Sequence, residues 1–155
     1  MRLLWISAAI AFALDQATKY GVIYGLDLAN GDVDVLPPLL VFRKGLNTGI
    51  NFGWLSGASF DTRWLLIGVA VAISAGLVFW AYRSFERPVQ FISAGLIVGG
   101  AMGNVLDRLI HPGVLDFLNM SCCGIANPYI FNVADIFIFA GALGIAFLTG
   151  EKKSA

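Results

Sequence analysis

Four apolar runs constrain what this 155-residue chain can fold into more than any other feature of its sequence. A transmembrane helix needs about 20 mostly apolar residues to cross a bilayer. Residues 3–23, 64–82, 89–106 and 130–149 meet that requirement. Composition agrees, because 58% of the residues are apolar and 13% are charged, which leaves too few polar residues for the surface of a soluble domain. We therefore predict an all-α membrane protein with four transmembrane helices, built as a single domain over residues 1–155.

Arginine and lysine residues near the ends of the apolar runs predict the orientation of the chain. They occur at the amino terminus, in the link between the second and third runs, and at the carboxyl terminus: Arg2, Arg83, Arg87, Lys152 and Lys153. Four spans put these three places on one side of the membrane, which the positive-inside rule makes cytoplasmic. Both termini are therefore expected in the cytoplasm. The opposing positive charges are fewer: Arg43, Lys44, Arg63 and Arg108.

The amino terminus has a second interpretation. Arg2, the apolar run and the triplet Ala11-Phe12-Ala13 imitate a cleavable signal peptide. The run continues through Asp15 and Lys19, however, and cleavage would leave an odd number of spans. We therefore favour an uncleaved first helix.

Two longer segments are expected on the outer side. Residues 24–63 hold Gly, Asn, Asp and Pro clusters around an apolar stretch at 39–42, which predicts a small β-hairpin, or cradle, at the membrane surface. Residues 109–129 are expected to form a loop. Cys122 and Cys123 are adjacent in that loop, and because neighbouring thiols bridge only with strain, we expect neither a disulfide nor a metal site there.

Asp15 and Lys19 are charged residues inside the first run, where an unpaired charge costs a few kcal/mol. Their spacing of four residues puts them on one helix face, with the aspartate first, which is the favourable order. The two residues either form an ion pair with no further role, or have separate functional roles. In the second case Asp15 orients a group of a functional site, and Lys19 reaches the lipid headgroups.

The third run carries glycine at every fourth position, Gly95, Gly99 and Gly103, with Gly100 beside them. Small residues at this spacing let another helix backbone approach closely. The stripe therefore predicts tight packing, which would hold the residues that follow it in fixed positions.

Polar residues gather where the third run ends and the fourth begins. Asn104, Asp107 and Arg108 share one helix face. Asp116 follows between apolar neighbours, and Asn132 and Asp135 are three residues apart at the start of the last run. The carboxyl groups of Asp107, Asp116 and Asp135 would thus lie at the outer end of the bundle, which favours a functional site over isolated caps.

The available residue types narrow the chemistry of such a site. A metallopeptidase lacks its ligands, since His111 is the sole histidine and no HExxH motif occurs. A serine–lysine pair would have to use Lys19, and no serine has a distinguishing context. Paired aspartates that share a proton can activate water against a peptide carbonyl. Aspartic peptide hydrolysis is therefore favoured, although the residues alone leave open whether Asp107 or Asp116 partners Asp135.

Two other classes of protein are alternatives to a peptidase. A small proton-coupled transporter or channel subunit would need ionisable residues spaced through the membrane depth, whereas these cluster at one end. A catalytically inactive, lipid-binding relative of a peptidase is not separable by sequence. A nucleic-acid partner is not indicated, because ten basic residues balance ten acidic ones.

The ordered motifs resemble those of lipoprotein signal peptidase, or signal peptidase II, a bacterial membrane aspartic peptidase family. They are spread over nearly the whole chain, and the set is specific where one motif alone is weak. The motifs are Asp15-Gln16-x-x-Lys19, Gly99-Gly100-Ala101-x-Gly103-Asn104-x-x-Asp107-Arg108, Val114-x-Asp116-Phe117 and Phe131-Asn132-x-Ala134-Asp135-x-x-Ile138.

This resemblance implies that Asp116 and Asp135 are the catalytic pair. Supporting or substrate-binding roles are implied for Asp15, Lys19, Asn47, Gly49, Asn104, Asp107, Arg108 and Asn132. The implied substrates are prolipoproteins bearing diacylglyceryl-cysteine, which enter from the bilayer and are cut just before the lipidated cysteine. No metal or organic cofactor is implied. A monomer in contact with membrane lipid is expected, multi-pass in the bacterial inner membrane, with its site near the periplasmic face.

One motif departs from the family pattern. The family's outer segment reads approximately Asn-x-Gly-Ala-Ala-Phe, whereas this chain has Asn47-Thr48-Gly49-Ile50-Asn51-Phe52. Asn47, Gly49 and Phe52 are kept, so the segment is expected to lie near the site. The bulk of Ile50 and the amide of Asn51 leave its shape and the substrate preference open.

Overall fold

The computed structural model describes residues 1–49, 62–124 and 127–148. Within these ranges the chain forms four helices and three strands. The helices are α1 (Arg2–Ile23), α2 (Thr62–Ser84), α3 (Pro88–Ile110) and α4 (Val133–Leu148). The strands are β1 (Val33–Leu36), β2 (Leu40–Asn47) and β3 (Val114–Met120).

Two of the described helices, α2 and α3, are long and apolar enough to cross a membrane. Each is longer than its apolar run predicts, because polar residues continue the helix at its ends: α3 includes Asp107 and Arg108. Helix α4 begins at Val133, three residues later than predicted, because Asn132 caps it. The predicted end of this run, Thr149, lies outside the described residues.

Helix α3 is the centre of the bundle, and its glycines explain how its neighbours approach it. A Cβ atom at Gly95 or Gly99 would collide with the backbone of α1, at Leu4 and Ala8 respectively. A Cβ atom at Gly100 would lie 2.6 Å from the carbonyl oxygen of Ala134 in α4. The predicted close packing along the glycine stripe is therefore confirmed, and it involves two helices rather than one.

Helices α2 and α3 are joined by a short link at residues 85–87. Pro88 occupies the first turn of α3, where its missing N–H costs little. The Gln90 side chain accepts hydrogen bonds from the backbone N–H groups of Glu86 and Arg87, both 2.9 Å. Near this link, α2 packs through a cluster of Leu4, Ala81, Phe85 and Ala94.

The outer segments contain more β-structure than predicted. Strands β1 and β2 form the expected antiparallel hairpin, but β3 joins it in a three-stranded sheet of order β1-β2-β3. The expectation of a loop over 109–129 is thus wrong, whereas the predicted four helices and small β-hairpin are present. Strand β3 forms antiparallel backbone hydrogen bonds with the side of β2 that β1 leaves unpaired. In this pairing Gly45 lies opposite Asp116, and Asn47 lies opposite Val114.

The sheet is held over the outer end of α1 by apolar side chains. Leu115 and Phe117, on either side of Asp116, pack in one buried cluster with Ile23 and Leu28. Residues in β3 are therefore fixed relative to the helices, and Asp116 is fixed with them.

The two cysteines also differ from expectation, because their sulfur atoms are bonded to each other. They lie in the turn after β3, where Cys123 has a left-handed backbone conformation with φ of 61°. The turn brings the sulfurs of neighbouring residues together.

Candidate active site

Lys19 is the cation at the centre of the polar network between the helices. Its Nζ atom lies 2.8 Å from Asp15 Oδ2, 2.8 Å from Asp107 Oδ2 and 3.0 Å from Asn104 Oδ1. Lys19 is completely buried, so the interpretation that it reaches the lipid headgroups is wrong. The physical reason is that α3 brings a second carboxylate and an amide oxygen to it, so all three hydrogens of the ammonium group have acceptors inside the protein.

The same two carboxylates hold backbone groups of the segments that follow. Asp15 Oδ1 accepts a hydrogen bond from the N–H of Ala134, at 2.9 Å. Asp107 Oδ2 accepts one from the N–H of Leu115, at 3.1 Å. Ala134 directly precedes Asp135, and Leu115 directly precedes Asp116. Each buried carboxylate therefore fixes the backbone next to one of the two aspartates that the family resemblance selects.

Gln16 belongs to this network, although it has no assigned role in the sequence-based site. Its Nε2 atom lies 3.0 Å from Asp15 Oδ2 and 3.2 Å from Asp107 Oδ1. It also contacts the carbonyl oxygen of Gly103 at 3.3 Å. Its place beside Asp15 in the first motif is the signal that could have found it.

Two asparagine side chains connect Asp116 with Asp135. Asn132 Nδ2 lies 2.6 Å from Asp116 Oδ1 and 3.1 Å from Asn104 Oδ1. Asn104 Nδ2 in turn lies 3.1 Å from Asp135 Oδ1. The two carboxyl groups thus share one chain of amide hydrogen bonds, and each receives an N–H from a different amide.

Asp135 is placed by the start of α4. Its Oδ2 accepts a hydrogen bond from the backbone N–H of Asn132 at 3.2 Å, and its own backbone N–H donates to Asn132 Oδ1 at 3.0 Å. This reciprocal pair satisfies two N–H groups that the first turn of a helix leaves open. The spacing of three residues that suggested a shared face is therefore also a helix cap.

Asp116 is buried in the middle of β3, with 2% of its surface exposed. Burial, followed by the negative charge of Asp135, raises the pKa of Asp116 to about 6. The hydrogen bonds from Asn132 and Asn47 oppose this rise, because they stabilise the ionised carboxylate. Asp116 is therefore a carboxyl group that keeps its proton at mildly acidic pH.

A cleft of about 410 Å³ opens over Asp116. One wall is the end of β2 with the turn after it, where Gly49 has φ of 90°, and the other is the segment 128–130. The lining residues are Gly45, Leu46, Asn47, Gly49, Asp116, Pro128, Tyr129 and Ile130. Asn47 and Gly49 thus lie at the site as expected, while Ile50 and Asn51 fall outside the described residues.

Arg108, near the end of α3, interacts electrostatically with Asp116, Asp135 and Asp107. It does not pair with Asp107 in the described structure, since its Nη1 atom donates to the carbonyl oxygen of Asn104 at 3.3 Å. It lines a separate cavity of about 290 Å³ between α2, α3 and α4, with apolar neighbours such as Leu66 and Ile138. His111 ends α3, and its backbone N–H donates to Asp107 O at 2.7 Å.

The arrangement as a whole is suited to proton transfer by two carboxyl groups. Within the described ranges, no three His, Cys, Asp or Glu side chains are placed to hold a metal ion. Asp116 and Asp135 are joined through amides, whereas Asp107 is occupied by Lys19, Gln16 and Leu115. The geometry therefore favours Asp116 over Asp107 as the partner of Asp135.

Known proteins are similar to this chain over most of its length. The family model described as "Signal peptidase (SPase) II" matches residues 7–149. A lipoprotein signal peptidase of Methylobacterium sp. (strain 4-46) is 40% identical over 139 residues, which cover 90% of this chain and 83% of that protein. One of Nostoc punctiforme is 41% identical over 147 residues, covering 95% of this chain and 87% of that protein.

Two solved structures share the fold. A bacterial membrane enzyme solved by the in meso method has a TM-score of 0.79 and 25% identity, covering all of this chain and 95% of that one. A second structure of that description has a TM-score of 0.82 at 21% identity, covering 99% and 96%. The helices and the sheet are thus an established architecture for an enzyme in a membrane.

Proposed function

The chain belongs to the signal peptidase II family, aspartic peptidases that cleave prolipoprotein signal peptides, and we propose that Asp116 and Asp135 are its catalytic pair. The observation that carries this assignment is the chain of amide hydrogen bonds through Asn132 and Asn104, which ends on these two carboxyl groups. The cleft over Asp116 gives a peptide access to one end of it.

The reaction starts with one proton on the pair, held by Asp116. Asp135 takes a proton from water, whose oxygen then bonds to the carbonyl carbon of the scissile peptide. Asp116 donates its proton to the carbonyl oxygen, which gives a neutral tetrahedral diol. The diol collapses when the C–N bond breaks: Asp135 protonates the departing amine, and Asp116 recovers a proton from a diol hydroxyl.

Burial, rather than the number of donors, keeps the two carboxyl groups unequal during these steps. Asp135 accepts from Asn104 and from the backbone N–H of Asn132, and Asp116 accepts from Asn132 and Asn47. Asp116 is buried, with apolar neighbours on both sides along β3, whereas Asp135 is partly exposed. Groups with environments that differ in this way can divide the roles of acid and base.

The proposed substrate is a prolipoprotein whose cysteine carries diacylglycerol, cut just before that cysteine. The cleft supports the peptide part of this proposal, because it opens beside Asp116 between the end of β2 and the segment 128–130. Every residue of the proposed network comes from one chain, so a monomer is sufficient for the reaction.

The proposed arrangement in the bilayer is four spans with both termini in the cytoplasm and the site at the periplasmic face. Supporting it, α1 exposes Leu3, Ile6, Ile10 and Leu14, and α4 exposes Ile136, Phe139 and Leu143. Large apolar stripes of this kind need lipid or a partner to cover them. Charged groups of the α2–α3 link, Arg83 and Arg87, lie at the bundle end opposite the site.

A proton-coupled transporter is disfavoured by the placement of the acids. Asp15, Asp107, Asp116 and Asp135 all belong to the network at one end of the bundle. A relay would need ionisable groups through the membrane depth. An inactive lipid-binding relative is distinguished by the assay below.

The test is processing of a diacylglyceryl-modified prolipoprotein by the wild type, Asp116→Asn and Asp135→Asn at matched amounts of folded protein. Each variant keeps the shape of the side chain and removes its acid–base chemistry. We expect each to lose activity by at least about a thousandfold. Asp34→Asn is the matched control, since Asp34 is an exposed carboxylate of β1 away from the network, and it should process normally. Normal cleavage by either site variant would refute the assigned pair.

A further inference from the structure

Lys19 contacts three groups, and each of them leads to one of the proposed catalytic aspartates. An ammonium group has three hydrogens to donate, and Asp15, Asp107 and Asn104 each accept one. Asp15 then holds the backbone before Asp135, and Asp107 holds the backbone before Asp116. The separation of the two aspartates therefore depends on two carboxylates that a single cation holds together.

The third contact sets the direction of an amide. An asparagine side chain can face either way round in a pocket of its own shape, with oxygen and NH2 exchanged. Because Lys19 only donates, only the oxygen of Asn104 can face it. The NH2 group is then left to face Asp135, at 3.1 Å. Asn132 donates to the same oxygen, but the hydrogen bond from the ammonium group is charge-assisted and thus stronger.

Lys19 itself is remote from the reacting peptide. It has no exposed surface, whereas the cleft is lined by β2, Asp116 and the segment 128–130. It therefore has no direct part in proton transfer to the substrate. Its influence on the reaction must pass through Asp15, Asp107 and Asn104, or through the effect of its positive charge on Asp116.

We propose that Lys19 is a positioning residue that sets both the separation of Asp116 and Asp135 and the direction of the amide between them. The proposal rests on the function assigned above to that pair. It gives the buried ion cluster a task in catalysis, in addition to joining α1 with α3. Misplacement of reacting groups by about 1 Å lowers rates by about a hundredfold, so a moderate loss of one contact should be visible in kcat.

The first experiment measures kcat and KM of the full chain with a diacylglyceryl-modified prolipoprotein for Lys19→Met. We expect kcat to fall about tenfold or more with KM within about twofold, because the cleft itself is not altered. Ser7→Ala is the structural comparator. Ser7 is also a buried polar residue of α1 that bonds α3, through Ile92 O at 3.2 Å, but it lies far along the helix from the network. It should lower the unfolding temperature and leave kcat unchanged.

The second experiment uses Asn104→Asp, which keeps the shape of the side chain. A carboxylate oxygen still accepts from Lys19 and Asn132, so the helix packing is retained. The other oxygen now faces Asp135 in place of an N–H donor. We expect a loss of kcat larger than that of Lys19→Met, and the double variant should lose less than the product of the two single losses, because both changes act on one contact.

The outcomes separate the two proposals. Normal kcat in Asn104→Asp, or a Lys19→Met variant that is changed only in unfolding temperature as Ser7→Ala is, would overturn the positioning role. If Lys19→Met does not fold, Asn104→Asp decides alone. Retained activity in Asp135→Asn would instead refute the catalytic pair, whatever Lys19 does.

Discussion

Helices α2 and α3 have the same length, 23 residues, and nearly opposite environments. The more apolar of the two, α2, buries only Ser74 and Ala81, whereas α3 buries eleven residues. In a soluble protein the more apolar helix would be the more buried one. This relation does not hold in a membrane, because lipid solvates apolar side chains as well as another helix does. Small and polar residues then mark the core, and apolar ones mark the surface.

The difference between α2 and α3 also determines where the polar network of the proposed active site lies. Helix α3 supplies Asn104 and Asp107 to the network, and its glycines let α1 and α4 approach closely enough to add Lys19, Asn132 and Asp135. Among the described contacts of that network, none comes from α2. Substitutions on α3 should therefore be severe, and substitutions on α2 should be mild.

The largest expected effect is that of Asp107→Ala on α3. The change leaves Lys19 with one carboxylate and the N–H of Leu115 without an acceptor. Removing one partner of a buried ion pair lowers the free energy of unfolding by about 3–5 kcal/mol. Denaturant unfolding in detergent micelles measures it. The control Asp34→Ala removes an exposed carboxylate and should change the free energy of unfolding by no more than about 0.5 kcal/mol. Equal losses in the two variants would contradict the expectation that substitutions in the α3 network are severe.

A matched pair of glycines gives the next effect. A Cβ atom at Gly99 on α3 would collide with Ala8 of α1, while at Gly76 on α2 no described atom lies within 4 Å. Gly99→Ala should lower the free energy of unfolding by about 1–3 kcal/mol. Gly76→Ala should leave it unchanged or raise it by up to about 1 kcal/mol, since alanine favours a helix. The measurement is the free energy of unfolding of both variants under the same condition. If Gly99→Ala left this free energy unchanged, the close packing of α1 against Gly99 would be contradicted.

The pH dependence of the reaction should follow the network that α3 organises. Burial and Asp135 raise the pKa of Asp116 to about 6, and the mechanism needs the protonated form of Asp116. Activity should therefore be lost as pH rises, with kcat/KM falling about tenfold for each pH unit above about 6, or about 1.4 kcal/mol per unit. A pH profile of kcat/KM reports ionisations of the free enzyme. A rate that stays constant up to pH 8 would remove Asp116 as the proton donor.

The smallest effect is expected on α2, for Ser74→Ala. The Ser74 hydroxyl is buried and has no hydrogen-bond partner among the described residues. Its removal should change the free energy of unfolding by less than about 1 kcal/mol, with a gain as the favoured direction. Unfolding in micelles again provides the measurement. A larger loss would show that α2 contributes a polar contact to the core.

Local features were predictable from the sequence, and features that depend on distant partners were not. The apolar runs at 64–82 and 89–106 predicted α2 and α3, and the glycine stripe predicted the close packing of helices. Each of these patterns lies within a single segment of the chain. Strand β3 was missed because its ladder partner β2 lies about 70 positions earlier, so no local alternation announces it.

The candidate site likewise has features that the sequence predicts and features that depend on distant partners. Its polar residues could be named from composition and motifs, because charges are rare at membrane depth. The burial of Lys19 could not, since it depends on Asp107 from another helix. The division between Asp107, which holds Leu115, and Asp116, which faces the cleft, also needed the fold.

The hydrogen bond between Asp15 and the N–H of Ala134 joins residues 119 positions apart. A membrane chain leaves the ribosome from its amino terminus, so α1 and α3 are inserted while α4 is still being translated. At that stage Asp116 has neither Asn132 nor Asp135 beside it, and Asp15 has no N–H of Ala134 to accept. If Asp116 and Asp135 are the catalytic pair, as proposed, the growing chain is expected to be inactive until α4 is in place. Premature termination within α4 should leave an inert product in the membrane rather than an unregulated peptidase.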